Sequence, residues 1–137
     1  MAVSKFEYGM ETIVQEDSIE TVITRVKEAL KQEGFGVLSE IDVAKTLREK
    51  IGVEMPPKVI LGACNPRFAH EALKVEPNLA LLLPCNVVVT AAGDRAFTVS
   101  AVDARAMLTV VANPALDAVA GEVNRRFERV LQAVAGS

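Results

Sequence analysis

From Tyr8 to Gln15 the chain alternates, with Tyr8, Met10, Thr12 and Val14 on one face and Gly9, Glu11, Ile13 and Gln15 on the other. A period of two held over eight residues predicts a strand. The period then lengthens: Ile19, Val22, Ile23, Val26, Ala29 and Leu30 recur at helical spacing. Asp17 stands three residues before Glu20, a capping-box arrangement, and Gly34 offers the left-handed stop, so the pattern predicts a helix over 18–33. Strands are expected over 37–42 and 59–64, separated by a short helix from Val43 to Ile51 that closes on Gly52. Asn65-Pro66 is a cap residue followed by the proline that a first helical turn favours. Phe68, Ala69, Ala72 and Leu73 fit the buried side of the helix that follows.

The segments 85–92 and 95–102 flank Gly93-Asp94, a hairpin turn, and Phe97, Val99 and Ala101 share a face there. Asp103 suits the start of a short turn, and Asn113-Pro114 repeats the cap-plus-proline device. The final stripe is Leu116, Val119, Ala120, Val123, Phe127, Val130, Leu131 and Val134, a helix over 115–135. The pattern therefore predicts an α+β fold: a mostly antiparallel sheet of about five strands with two long helices on one face. The order is β-α-β-(α)-β-(α)-β-β-α.

Length and composition narrow this reading. A chain of 137 residues suits a single domain over 1–137, and 50% hydrophobic content excludes disorder. A net charge of −3 argues against nucleic acid, whose binders need a basic footprint. Residues 1–76 carry 13 acidic and 10 basic groups, whereas residues 77–137 carry five of each. The sparsely charged second half suggests an additional covered face, and a homodimer is the expected assembly. The longest apolar stretch, 79–92, is cut by Pro84 and is too short for a membrane span. A cytoplasmic location is expected, with both cysteines reduced.

The runs Leu61-Gly62-Ala63-Cys64-Asn65-Pro66, Ala69-His70-Glu71-Ala72-Leu73 and Leu82-Leu83-Pro84-Cys85-Asn86-Val87-Val88-Val89 resemble those of the domain-of-unknown-function 302 family. Tyr8-Gly9 and Gly34-Phe35-Gly36 are similar to it as well, so the resemblance covers about residues 8–134. It implies a curved sheet like that of TATA-binding-protein-like domains. It implies no established reaction and supplies no catalytic residues.

The residues themselves mark one candidate site. Cys64 closes one predicted strand and Cys85 opens another, so antiparallel pairing would bring both Cys-Asn dipeptides to one end of the sheet. Cys64, Asn65, Cys85 and Asn86 are therefore the candidate ligand-binding residues. With His70 on the intervening helix, the two thiols form a candidate soft-metal set, because soft ligands select Cu(I), Zn²⁺ or haem iron. Asn86, placed just inside an apolar strand, needs a hydrogen-bond partner, either loop backbone or a ligand. Tyr8, Glu40, Asp42 and Arg67 are weaker candidates at element ends. A single histidine and the lack of a GxSxG motif exclude a serine triad, and no phosphate loop is present. The leading functional reading is a non-enzymatic binding protein for a small apolar molecule, haem or soft metal. The alternative is a thiol-dependent redox protein or enzyme using Cys64 or Cys85.

Overall fold

The computed structural model describes residues 3–136. Strands β1 (Ser4–Phe6), β2 (Gly9–Gln15), β3 (Gly36–Asp42), β4 (Lys58–Cys64), β5 (Cys85–Gly93) and β6 (Ala96–Val102) form one antiparallel sheet in the order β1-β2-β6-β5-β4-β3. Helices α1 (Ile19–Gln32) and α5 (Asp117–Ala135) pack together across it, joined by α2 (Val43–Ile51), α3 (Pro66–Val75) and α4 (Ala104–Leu108). Two 3-10 turns, Pro77–Leu82 and Pro114–Leu116, complete the chain. The expected α+β layering is present, with one strand more than the pattern indicated. The extra strand, β1, has three exposed residues, too few for any period to show.

Alternation carries straight across the sheet. Met10 pairs with Ala101, Ala101 with Val87 and Val87 with Leu61, and all four are buried. The next core row runs Thr12, Val99, Val89, Val59. The intervening rows point the other way, and that of Ile13–Thr98–Thr90–Lys58 is half-buried or exposed. One face therefore carries the core, as period two demands. Against it α1 sets Val22, Ile23, Val26 and Leu30, while α5 sets Ala120, Val123, Phe127, Val130, Leu131 and Val134. Phe127 and Phe35 stack at 4.8 Å where the two helices meet the start of β3.

The ends of the elements differ in places from the sequence reading. Helix α1 is capped by Ser18, whose Oγ accepts the Thr21 N–H at 3.2 Å. Asp17 is drawn away by the Arg95 guanidinium at 2.6 Å, so the predicted capping box does not form. Tyr8 leaves the strand face expected for it and stands 69% exposed in the β1–β2 turn. Asn113 caps only the second 3-10 turn, and α5 begins at Asp117. At Gly34 the backbone has φ of 87°, the left-handed stop that its neighbours required.

Candidate functional site

Strand β4 ends and β5 begins at the same edge of the core, and the register sets Ala63 directly opposite Cys85. Cys64 therefore follows one residue beyond that pair, and both thiols border one cavity of about 340 Å³. Both are free thiols; Cys64 is half-buried and Cys85 is only 9% exposed. Burial, followed by the neighbouring Cys64, pushes the Cys85 thiol up to about 11. Cys85 is thus held as a neutral thiol across the physiological range.

The cavity lies beneath the N-terminal half of α5. Phe68, Ala69, Ala72 and Leu73 of α3 form one wall. Leu79 and Ala80 of the first 3-10 turn, with Leu83 and Pro84, form a second. Ala104, Met107 and Leu108 of α4 close a third side, and Val119, Ala120 and Val123 of α5 form the roof. Leu38, 69% exposed on β3, stands at the mouth. No charged side chain lines the space among the described residues. Six of its twenty lining residues are alanines, which is why helices in contact with the sheet leave room between them.

Polar pins hold these walls in place, Asn65 from within the lining and the others from outside it. Asn65, 8% exposed, accepts the Phe68 N–H on Oδ1 at 3.3 Å and caps α3. A Cβ at Gly34 would meet the Asn65 side chain at 2.9 Å, so the glycine lets α3 start against the end of α1. Asn124 accepts the Ala104 N–H at 2.7 Å and donates to Asp103 Oδ1 at 2.9 Å, fastening α4 to α5. Asn113 donates to Glu76 at 3.2 Å, tying the end of α3 to the second 3-10 turn. Arg126 lies 5.0 Å from the Phe68 ring centroid and donates to the Glu33 carbonyl at 2.9 Å. At Gly62 a Cβ would come within 2.7 Å of Pro84, so only glycine lets the Leu83-Pro84 wall lie this close to the sheet.

The structure therefore brings together three of the four residues proposed as ligand-binding: Cys64, Asn65 and Cys85. Asn86 does not join them. Successive strand residues point to opposite faces, so Asn86 lies exposed on the open face, opposite Gly62. His70 is exposed on the far side of α3 from the cavity. The metal set Cys64–Cys85–His70 does not assemble; among the described residues no group of three or more His, Cys, Asp and Glu is placed to hold a metal ion. Tyr8, Glu40, Asp42 and Arg67 also lie off the cavity, with Glu40 paired to Lys27 at 2.6 Å and Asp42 capping α2. Among the residues that shape the site, Asn124, Ala80 and Ala104 were not singled out from sequence, and Ala69, Ala72 and Ala120 were read only as buried helix positions. The alanines were visible there as a recurrence of small residues where a packed helix would carry larger ones.

The model of a family described as "Domain of unknown function DUF302" matches residues 10–134. A crystal structure of an uncharacterized conserved DUF302 protein from Bacillus stearothermophilus is similar, with a TM-score of 0.80 and 30% sequence identity. The similarity covers 90% of this chain and 97% of that one. No curated protein matches the chain.

Proposed function

The chain belongs to the DUF302 family, a domain of unknown function, and we propose that it binds a small, neutral, apolar molecule in the cavity beneath α5. The observation that carries this reading is an apolar space of about 340 Å³ lined by no charged side chain. Ligand pockets run from roughly 300 to 1,000 Å³, and preformed apolar concavities are where small molecules bind. This one sits near the lower bound, which favours a ligand of about ten carbon atoms over a haem with its two carboxylates. A carboxylate or ammonium inside would lose its hydration with no partner in return. No helix of the described residues is long and apolar enough to cross a membrane. We further propose a cytoplasmic location, a homodimer and reduced thiols, readings that rest on cysteine usage and on the sparse charge of residues 77–137.

A neutral dye such as N-phenyl-1-naphthylamine tests the reading, because its fluorescence rises on leaving water. One saturable site per chain is the expected result. Ala69→Phe, which fills the α3 wall, should weaken binding about tenfold or more. Absence of saturable binding to the folded protein overturns the proposal. Native mass spectrometry of the same sample reports any retained ligand and the mass of the assembly. A second reading, thiol chemistry, is favoured by one observation: both cysteines of the chain border the same space.

A further inference from the structure

We propose that Cys64 covalently captures small apolar electrophiles of the α,β-unsaturated carbonyl class inside the cavity. The inference rests on the cavity reading above and adds a reaction to it. Three observations converge. The space is sized and lined for an alkyl chain. Cys64, half-buried, is the wall thiol that solvent and a ligand can both reach. Cys85 borders the same cavity, and its sulfur makes no hydrogen bond among the described residues although it is only 9% exposed.

The chemistry follows from softness. A thiolate is a soft nucleophile, and the β-carbon of an enal or enone is a soft electrophile. Cys64 Sγ, as thiolate, forms a bond to the β-carbon, and the C=C π pair moves onto the carbonyl as an enolate. The α-carbon then takes a proton from the Cys85 thiol, which regains one from solvent. The net change is thiol plus unsaturated carbonyl to saturated thioether. Nothing leaves, and no oxidant or reductant is needed. Burial keeps Cys85 protonated before the addition, so one sulfur attacks while the other holds the proton to be given. No charged side chain of the cavity would trap the carbonyl end, so the alkyl tail decides which electrophiles enter.

The test compares trans-2-nonenal with acrylamide, each referenced to glutathione, using intact-mass kinetics and peptide mapping on the full chain. Capture in the cavity predicts a single adduct at Cys64. The nonenal-to-acrylamide rate ratio should exceed that of glutathione about tenfold or more, since burying two methylenes offers that much. Ala69→Phe, which fills the α3 wall, should bring the nonenal-to-acrylamide ratio down to that of glutathione. Adducts mainly at Cys85, or a ratio equal to that of glutathione, overturn the proposal. Cys64→Ser separates this failure from failure of the cavity reading. If that variant binds N-phenyl-1-naphthylamine while the wild type shows no rate excess, the reaction falls and the cavity stands. If neither protein binds the dye, both fall.

Discussion

The helical layer is packed solid over one part of the sheet and hollow over the other. Under α1 the side chains are branched and large: Val22, Ile23, Val26 and Leu30 interlock with Val87, Val89 and Leu61, and most are fully buried. Under the first half of α5 the partners are α3, α4 and two 3-10 turns, and four of the nine residues they turn to the cavity are alanines. The first region is held by hydrophobic contact, which is non-directional and grows with buried area. The second has forgone some of that area, and hydrogen bonds from Asn65, Asn113 and Asn124 set its walls. A preformed space survives only where something other than contact fixes the distance between its walls. Dispersion would otherwise draw them together.

The largest expected effect separates the two regions directly. Val26→Asp places an uncompensated charge in solid packing and should cost about 3–5 kcal/mol. Val123→Asp, on the cavity roof, can draw water into the space, so it should cost about 1–2 kcal/mol less. Urea melts of both variants check this; equal losses would mean that the two regions do not differ in packing.

The next effect belongs to Cys85. Its folded value of about 11 lies above the ordinary 9.0, so the folded state holds a proton that the unfolded chain releases between them. Its contribution is therefore complete below pH 9 and is lost as pH rises toward 11, about 2–3 kcal/mol in all. Cys85→Val should remove that part of the alkaline slope and leave the remainder from other groups. An unchanged slope would show that Cys85 is not desolvated as the cavity wall requires.

The smallest effect concerns the seam between the regions. Glu122 accepts hydrogen bonds from Arg126 and Arg125, which hold its carboxyl down to about 2. Arg126 also touches Phe68 of the cavity wall and the end of α1, so the pair links hollow and solid parts. A depressed carboxyl contributes above its ordinary value of 4.5, and that contribution is lost as pH falls through about 2. Thermal melts of Glu122→Gln should match the wild type near pH 2 and fall slightly below it at neutral pH. A variant as stable as the wild type throughout would reduce the pair to surface decoration.

Much of this architecture was legible in the chain because it depends on local periodicity. The stripes of α1 and α5, the alternation of β2 and β6, and the caps at Asn65 and Asp103 rest on spacings of two to four residues, and all are present. Antiparallel return of the chain between Cys64 and Cys85 also followed from element order alone. Asn86 was expected at the site, yet the same alternation turns the residue after an inward Cys85 outward.

What only the tertiary structure decided involves partners far apart in sequence or the size of what is missing. Asp17 is bonded to Arg95, 78 residues away, and the cap of α1 falls to the neighbouring Ser18. His70 stands apart from the two cysteines because α3 packs against the end of α1 and the 3-10 turn with its imidazole exposed. The cavity is the clearest case. Alanine satisfies the apolar pattern as well as leucine does, so periodicity is blind to the volume that alanine leaves unfilled. Whether several such vacancies merge into one space depends on how four elements meet, and that is decided by the asparagine pins and the close approach at Gly62.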